Sequence, residues 1–405
     1  MGALLLTDAT LIDGTGIDPR PHMSVLIEGG RITRVADAGT VARDEAKVID
    51  CSGLWLLPGL TDAHVHFGLT AAGDDEPPGS HVSYVLKVVE NIRIALDEGF
   101  TTVRDAGGLD PAYALAVAAG EIAGPRILPS GSFLSQTGGH GDHRSRWSDA
   151  APASIAGLVA HTEICDGVDE VRRAARTQLR RGATQIKVMA SGGVMSPNDP
   201  LESLQFTVDE MAAAVHEARA FGTYVLAHCH TPGAIANALD AGVRSIEHGS
   251  MLNETLARRM AQQEAYLVPT LVILELLARE EGLPEFSRRK LELVRGETRG
   301  SLELARAAGV PIGSGSDLLG PRQSRRAAEL VEKAKDFEPM AAIVSATRTN
   351  ALLFNMADRI GTVEAGKDAD VIAVAGDPLS EIGVLADADN VRLVVQRGQV
   401  AKNLL

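Results

Sequence analysis

The sequence predicts an α/β protein in which a TIM-like (β/α)₈ barrel is inserted into a small β-sandwich formed by both termini. Between residues 57 and 358, short β-branched runs alternate with Ala- and Leu-rich helical segments, which favours a parallel sheet. About eight such repeats favour a closed barrel over an open sheet. Residues 1–56 and 359–405 are instead β-rich and divided by turns. We therefore expect 1–56 plus 359–405 to form one composite sandwich domain, with 57–358 as the barrel domain.

The composition is that of an ordinary globular protein and argues against nucleic acid or membrane as a binding partner. The chain has 405 residues, of which 45% are hydrophobic and 23% charged, and a formal net charge of -14. No basic cluster points to nucleic acid or an anionic membrane, and no apolar run could span a bilayer or act as a signal peptide. The three cysteines are far apart and form no CxxC, which argues against a disulfide framework. We therefore expect a cytoplasmic protein that binds neither nucleic acid nor membrane.

Both ends of the chain carry elements of the predicted sandwich. Candidate strands are Leu4–Leu6, Thr10–Ile12, Ser24–Ile27 and Ile32–Val35 at the N-terminus, and Val371–Val374 and Val391–Val395 at the C-terminus. Gly29 and Gly30 predict a hairpin turn between the last two N-terminal strands. The simplest topology pairs the C-terminal tail with the N-terminal strands, so that the barrel is an insertion between the two halves of the sandwich.

The middle of the chain carries the strands and helices of the predicted barrel. The apolar run Leu54–Leu57 predicts the first strand, and the others are Thr101–Val103, Arg126–Leu128, Gln185–Val188, Tyr224–Ala227, Arg244–Ile246, Tyr266–Val268 and Pro311–Gly313. Predicted helices include Val82–Leu96, Val168–Leu179, Val208–Phe221 and Ser301–Ala308, and several end at a glycine. Long loops at about 68–83 and 133–167 follow barrel strands, so both should cover the C-terminal face, where barrel active sites lie.

Potential metal ligands stand at the ends of several predicted strands. His64 and His66 alternate along one strand, so their imidazoles face the same way, a geometry that suits zinc and other first-row divalent metals. Alone, this pair could equally be two polar residues on a solvated face. Later strands end in further candidates, namely Lys187, His228, His230, His248 and Asp317. Because parallel strands end at one rim of a barrel, these side chains should converge.

This pattern resembles the amidohydrolase superfamily, and the resemblance covers nearly the whole chain. It includes Pro58-Gly59-Leu60 before the two histidines, the composite sandwich, and Gly366-Lys367-Asp368-Ala369-Asp370 near the end. With its lysine on strand four, the chain looks most like the branch of Xaa-Pro and Xaa-Arg dipeptidases, imidazolonepropionase-like proteins and ochratoxin amidases. The motifs are specific for the superfamily and weak for the substrate. Relatives are often oligomers, so we expect a homo-oligomer, up to an octamer.

The resemblance implies a centre of two divalent metal ions, for which zinc fits best on availability, although manganese, cobalt or iron could occupy it. Its ligands would be His64, His66, Lys187, His228, His248 and Asp317. An ordinary lysine is a poor ligand because its ammonium has no lone pair. Lys187 would therefore carry a carbamate derived from CO₂, whose two oxygens can bridge two cations. The alternative, a surface or ion-paired lysine, conflicts with its apolar strand, where an unpaired ammonium is costly.

His230 shares a strand face with His228 and should also point into the site. It could donate a hydrogen bond to the scissile carbonyl or to the developing oxyanion, or it could support the ligands from behind. A shifted register, with His230 as the ligand and His228 behind it, also stays open. Cys229 points to the other side of the strand and should be a core thiol.

Several residues outside the ligand set are candidates for substrate binding. His140 lies in a Gly-Gly-His-Gly segment, which in similar proteins helps to hold a substrate carboxylate. The other candidates are the turn residues Gly192, Gly193 and Val194, and, near later strand ends, Tyr266 and Arg322. The glycines could present backbone N–H groups to a substrate or form a plain turn, and an arginine would suit a carboxylate. Three further side chains are expected at the solvated surface, namely His143, Arg325 and Arg326.

The predicted reaction is metal-assisted hydrolysis of an amide bond. A hydroxide shared by the two ions would attack the carbonyl carbon, and Asp317 would take its proton and pass it to the leaving amine. The favoured small-molecule substrate has a free carboxylate on the leaving side: a dipeptide, an N-acyl amino acid or an ochratoxin-like amino-acid amide. Alternatives are a cyclic amide, lactone or phosphotriester hydrolase with the same centre, a mononuclear deaminase, and a metal-stabilised scaffold without turnover.

Overall fold

One sheet combines strands from both ends of the chain. The computed structural model describes residues 2–41, 46–70, 80–152 and 154–405. The eight strands of this sheet are β1 (Leu4–Leu11), β2 (Arg20–Glu28), β3 (Arg31–Asp37), β4 (Lys47–Asp50), β5 (Leu54–Pro58), β15 (Val371–Ala375), β16 (Val391–Gln396) and β17 (Gln399–Asn403). Their order is β17-β16-β15-β5-β1-β2-β3, with β4 beside β1. The predicted pairing of the C-terminal tail with the N-terminal strands is therefore present.

The chain passes from the terminal sheet to the parallel strands at Gly59, two residues after the predicted start of the barrel at residue 57. Strand β5 pairs with β1 and, in antiparallel register, with β15, so the run Leu54–Leu57 belongs to the terminal sheet. The prediction that this run is the first barrel strand is wrong, because a separate strand, β6 (Leu60–Val65), contains His64 and ends directly before His66. A Cβ at Gly59 would lie 2.2 Å from Thr101 Oγ1, so only glycine fits at this junction.

The remaining strands are parallel and form two sheets that hydrogen bonds join at both ends. One contains β6, β7 (Phe100–Asp105) and β8 (Arg126–Pro129), and the other contains β9 (Leu134–Ser135), β10 (Glu163–Ile164), β11 (Ile186–Met189), β12 (Val225–Cys229), β13 (Ser245–His248) and β14 (Tyr266–Val268). The N–H of Thr184 donates to Pro129 O at 2.8 Å. At the other end, the segment 311–314 connects the sheets, since the N–H of Ala63 donates to Ser314 O at 2.8 Å and the N–H of Gly313 donates to Leu267 O at 2.8 Å. The predicted eighth strand, Pro311–Gly313, is not a regular strand, and Ile312 forms only an isolated parallel bridge with Leu267.

Helices follow the parallel strands, as the alternating pattern predicts. They are α1 (His81–Asp97), α2 (Pro111–Ala118), α3 (Val168–Arg181), α4 (Val208–Ala220), α5 (Pro232–Ala241), α6 (Glu254–Gln262), α7 (Leu271–Ala278), α8 (Glu285–Ala308), α9 (Ala328–Lys333), α10 (Pro339–Val344) and α11 (Asn350–Leu353). A π-helical turn, Ser345–Thr349, joins α10 to α11, and Ile382–Ala386 forms a 3₁₀ turn. The predicted glycine stops after α3, α5 and α8 are left-handed C-caps, which satisfy the last carbonyls of each helix.

The core lies where the helices pack against the parallel strands, and the long loops lie at one end of them. Of the predicted loop at about 68–83, residues 71–79 lie outside the described residues. The loop at 133–167 contains the short strands β9 and β10 and contributes to the cavity described below. The three cysteines are buried and free, as predicted. Within the described ranges, the helices are too short or too polar to cross a membrane.

Candidate metal centre and substrate cavity

Two clusters of potential metal ligands meet in one buried cavity. The first triad consists of His64, His66 and Asp317, and the second triad of His228, His230 and His248. Within each triad the ligand atoms lie within 4.8 Å of one another. The histidines stand at the C-terminal ends of β6, β12 and β13, as the sequence predicts. The structure thus brings together all six of these predicted site residues, and Lys187 lines the same cavity.

Hydrogen bonds fix both imidazoles of the first triad. The Nδ1 atom of His64 lies 2.6 Å from Glu247 Oε2, and that of His66 lies 2.7 Å from the carbonyl oxygen of Gly107. Because these oxygens can only accept, each Nδ1 carries a proton, and a neutral ring then keeps its lone pair on Nε2. The two Nε2 atoms lie 3.6 Å and 3.3 Å from Asp317 Oδ1. This tautomer is the one needed for metal coordination by Nε2.

Glu247 supports the first triad, although sequence reasoning gives it no role. Its carboxylate is fully buried between His64 and Arg104, whose Nη2 lies 2.8 Å from Oε1. Burial alone would raise the pKa of Glu247, but Arg104 and His64 outweigh it and lower the pKa to about 2. A signal was present, because a glutamate inside a buried apolar strand requires a partner.

Neutral groups orient the histidines of the second triad. The Nδ1 atom of His248 lies 2.7 Å from Thr270 Oγ1, and that of His230 lies 3.0 Å from Ser250 Oγ. The Nε2 atom of His228 lies 3.3 Å from the carbonyl oxygen of Gly192. Burial lowers the pKa of all three histidines, to about 4 for His230 and well below the usual range for the other two. All three are therefore neutral at pH 7 and can offer a lone pair.

Lys187 is buried in the cavity beside both triads. It lies on β11, and its residue is 1% exposed. Among the described residues, no carboxylate forms an ion pair with it. Burial lowers the pKa of Lys187 to about 8, although Glu247 and Asp317 act in the opposite direction. The surface or ion-paired alternative for Lys187 therefore does not hold within the described part of the chain.

The backbone is strained at three positions around the triads. His248, Thr270 and Asp317 have φ angles of 68°, 50° and 53°, in the left-handed region that non-glycine residues avoid. Such strain costs about 1–3 kcal/mol at each residue and is typical of functional sites. Asp62 holds the neighbouring segments, since its Oδ1 accepts from the N–H groups of His64 and Ser316, both at 3.0 Å. Sequence patterns do not reveal these conformations.

The cavity has a volume of about 360 Å³ and is lined by residues of two chemical kinds. The apolar lining residues are Leu69, Phe133, Val194, Met195, Ile273, Leu274, Leu277 and Leu319. Besides Lys187, the basic lining residues outside the triads are His140, His143, Arg144 and His161. Sequence reasoning found only His140 of this basic group; His143 is exposed on its loop, as predicted, and also lines the cavity. No motif marks the other three, because loop packing brings them to the cavity.

His140 lies between the second triad and a neighbouring loop. Its ring stacks on that of His228, with centroids 4.3 Å apart, and its Nδ1 lies 2.8 Å from Ser196 Oγ. A Cβ at Gly193 would lie 2.1 Å from the His140 ring, so this glycine is required for the ring to fit. His140 therefore reaches the cavity, as predicted, but through packing that depends on the 193–196 loop.

The predicted backbone donors at Gly192 and Gly193 are already used inside the protein. The N–H of Gly192 donates to Ser203 O at 3.3 Å, and that of Gly193 donates to Asp199 Oδ2 at 3.3 Å. These bonds do not support a role for either N–H group in substrate binding, because a second acceptor would have to displace the first. Val194, the next residue, does line the cavity, with its side chain.

Three other predicted side chains lie elsewhere. Tyr266 begins β14, at the end remote from the rim, and the guanidinium of Arg244 lies 5.4 Å from its ring centre. Arg322 forms an ion pair with Glu280 and is not among the residues that line the cavity. The expectation that Arg326 is solvated is also wrong, since it is fully buried with its guanidinium 4.9 Å from the ring centre of Phe67.

Comparisons with known proteins agree with this architecture. The model of the amidohydrolase family matches residues 55–401. Ochratoxinase of Aspergillus niger is 34% identical over 375 residues, which cover 86% of this chain and 75% of that protein. Its crystal structure superposes with a TM-score of 0.88 and 30% identity, covering 99% of this chain and 96% of that chain.

Two solved peptidase structures are also similar. A prolidase crystallised with N-methylphosphonate-L-proline is 40% identical, with a TM-score of 0.93, and the match covers 99% of this chain and 100% of that chain. A Xaa-Pro dipeptidase with methionine bound in its active site is 30% identical, with a TM-score of 0.89, and the match covers 98% and 99% of the two chains.

Proposed function

The chain belongs to the amidohydrolase family and is a hydrolase that acts on C–N bonds, and we propose that it cleaves the amide bond of a small substrate with a free carboxylate, using two metal ions. The main support for this proposal is that one cavity is lined by the first triad, the second triad and Lys187. A scaffold protein would have no need for five buried histidines beside Asp317, or for the strained backbone at His248 and Asp317, since each costs stability.

The donor set fits two divalent ions. The first triad supplies two imidazoles and a carboxylate, the second triad supplies neutral imidazoles, and this mixture suits zinc. We propose His228 and His248 as the ligands of the second ion, with His230 free to meet the substrate. Ions bound there would polarise a carbonyl group and lower the pKa of a water molecule.

Lys187 would complete the centre as a carbamate. Its neutral amine adds to CO₂, with formation of an N–C bond and release of one proton, and the product carries a negative charge on two oxygens. An unmodified ammonium would repel both ions in this buried position, whereas the carbamate neutralises part of their charge.

The chain's own side chains would move the protons and hold the carbonyl. Asp317 would accept a proton from the attacking water as the new C–O bond forms and the carbonyl oxygen gains negative charge. It would then deliver this proton to the leaving nitrogen, so that the carbonyl re-forms and the amide C–N bond breaks with release of the amine. His230, held by Ser250, would donate a hydrogen bond to the carbonyl oxygen as negative charge develops on it. His140 would approach the leaving side of the substrate from the loop wall.

The substrate class rests on the relatives and on the basic lining of the cavity. The similar structures are a prolidase with a proline-based phosphonate and an ochratoxinase, and both names point to amides of amino acids. We propose dipeptides, N-acyl amino acids or aromatic amino-acid amides as substrates. The cavity's histidines and arginine suit an anionic leaving group.

The test combines metal analysis with hydrolysis of dipeptides and N-acyl amino acids. We expect about two metal ions per chain, and Lys187→Ala should lose both metal and activity. Lys87→Ala, which removes an exposed lysine of α1, is the matched control and should keep both. One metal per chain, or activity that does not depend on Lys187, would instead indicate a mononuclear hydrolase. Turnover of lactones or phosphotriesters but not amides would move the assignment to the alternative substrates.

We also propose that residues 57–358 form one (β/α)₈ barrel and that 1–56 and 359–405 form the composite sandwich domain. The hydrogen bonds that join the two parallel sheets at both ends support the closed barrel, and the shared sheet supports the sandwich. A homo-oligomer, up to an octamer, and a cytoplasmic location stay predictions. Light scattering of the purified chain would give its oligomeric state.

A further inference from the structure

We propose that Arg144 binds the free carboxylate of the substrate and thereby selects amides whose leaving group is an amino acid. The inference rests on the proposed amide hydrolysis and adds to it a specificity-determining residue that sequence motifs do not mark. Arg144 lies on the loop that follows His140 and lines the cavity together with both triads.

The guanidinium of Arg144 is held in place before a substrate arrives. Its Nε lies 2.7 Å from Asp142 Oδ1, and its Nη2 lies 2.7 Å from Asp142 Oδ2, which is a two-point contact between planar groups. Asp142 is itself fixed, since Oδ2 accepts from the N–H of Gly138 at 2.9 Å. A side chain with its rotamers already restricted loses little entropy when it binds a ligand.

One face of this guanidinium remains open to a ligand. Nη1 makes no hydrogen bond with the described residues, and the side chain is 23% exposed. Arginine stays charged over the whole working range of pH. Nη1, together with the second N–H of Nη2, can therefore offer donors to an anion in the cavity while Asp142 keeps its own two bonds.

The other basic groups are less suited to carry this role. His140 already uses Nδ1 at Ser196 and stacks on a histidine of the second triad. Arg322 is paired with Glu280 outside the lining. His143 and His161 flank Arg144 in the lining and can add hydrogen bonds, but neither has a permanent charge.

The two kinds of lining residue would give the substrate one orientation. The carboxylate would lie at Arg144, the amide bond at the triads, and the acyl side or apolar side chain would pack on the α7 residues of the lining, Ile273, Leu274 and Leu277. An amide without an anionic group would gain only the apolar contact. The chemistry of the cavity therefore fits N-acyl amino acids and dipeptides with an apolar residue better than neutral amides.

The experiment compares an N-acyl amino acid with its carboxamide in the metal-loaded enzyme. In the wild type, kcat/KM should be at least about 10-fold higher for the acid. Arg144→Gln should lower kcat/KM for the acid by about 30-fold, mainly through KM, since a charge-assisted hydrogen bond is lost. The same variant should leave the carboxamide almost unchanged, which a general structural defect would not do. Arg144→Lys should recover part of the preference.

Arg146→Gln is the matched control, because Arg146 is an exposed arginine on the same loop and lies outside the cavity lining. It should keep the wild-type preference, and metal content and thermal unfolding of every variant should match the wild type. If Arg144→Gln proves unstable, Arg144→Lys and Asp142→Asn provide the test. A wild-type preference for the acid that survives all Arg144 variants would overturn the role of Arg144 while leaving amide hydrolysis intact. No amide hydrolysis in the wild type would instead refute the proposed function.

Discussion

The two ligand triads both contain histidines but differ in the charge of their ligands and of the groups around them. The first triad contains Asp317 and is backed by buried Glu247, whose carboxylate contacts His64. The second triad contains only histidines, and its partners are the hydroxyls of Thr270 and Ser250 and one backbone carbonyl. The first triad thus has negatively charged groups among and beside its ligands, whereas the ligands and partners of the second triad are neutral.

Because of this difference, we expect the two triads to bind their metal ions with different affinities. A carboxylate behind a histidine raises the basicity of the ligand and strengthens metal binding, so the first triad should hold its ion more tightly. The second triad has no anionic ligand of its own, and we propose that Lys187 supplies one as a carbamate.

Removal of the first triad's own carboxylate should have the largest effect. Asp317→Asn keeps the size of the side chain but removes its capacity to take a proton. Turnover should fall by about 10²–10⁴-fold, the usual contribution of a general base, while much of the metal is retained. Steady-state kinetics with metal analysis checks this. Near wild-type turnover would show that another group carries the proton.

Substitution of the residue that contacts a ligand histidine in each triad should change the affinities for the two metal ions by different amounts. Glu247→Gln should weaken the ion at the first triad by about 10–100-fold, and Arg104, left without its carboxylate partner, will add to the loss. Thr270→Val removes a neutral partner of His248 and should weaken the second ion by less. Competition with a chelator gives both affinities. Equal losses from the two substitutions would contradict the charge difference between the triads.

Both triads should make the stability of the fold sensitive to acid, in contrast to their different expected effects on metal binding. The pKa of His64 and that of His230 are both lowered to about 4 from an ordinary value of 6.5. The unfolded chain therefore binds protons that the folded chain excludes, so stability is complete above pH 6.5 and is lost as the pH falls towards 4. Each histidine should contribute on the order of 3 kcal/mol to this loss.

Denaturant unfolding of the metal-stripped protein across that pH range checks the prediction. His64→Gln and His230→Gln should each reduce the slope of stability against pH by a similar amount. Glu247 should not contribute above pH 4.5, since its lowered pKa matters only between 4.5 and about 2. A pH-independent stability between 6.5 and 4 would contradict the neutral state of both histidines.

The smallest effect is expected from Lys290, which supports the loop behind the second triad. Its Nζ donates to the carbonyl oxygens of Gly193, Ser196 and Asp199 at 2.9, 2.7 and 2.6 Å. Lys290→Met should displace Ser196 and with it His140, so KM should rise by about 10-fold while metal content stays constant. Lys290→Arg should restore part of the affinity, and Lys87→Met is the exposed control. An unchanged KM would show that the loop holds its shape without the lysine.

The ligands at the strand ends could be predicted from the sequence because two regular patterns determine where these side chains lie. Strand-helix alternation brings the ends of parallel strands to one rim, and side-chain alternation decides which residues face inward. The ligands from His64 to His248 follow from these patterns. Asp317 was found by its position after the last predicted strand, even though Pro311–Gly313 forms only one isolated bridge.

The remaining features depend on contacts between distant segments. The run Leu54–Leu57 is apolar enough for either sheet, and only its pairing with β15 assigns it to the terminal sheet. Arg144 and His161 carry no motif, and they reach the cavity through the fold of a long loop. The role of Glu247 depends on Arg104, which lies 143 positions away in the chain. Local sequence patterns contain no information about contacts between residues that are this far apart in the chain.

The sheet shared by the two termini has a consequence for biosynthesis. Arg31 bonds to the carbonyl oxygen of Gly366, 335 positions later in the chain, and β5 pairs with β15. Until the last part of the chain leaves the ribosome, β5 presents an unpaired edge, which is a hazard for aggregation. Asp62 and Ser316, 254 positions apart, must also meet before His64 and Asp317 are in place. Metal uptake should therefore follow the completion of synthesis, and a chain truncated before residue 371 should remain without metal and prone to associate.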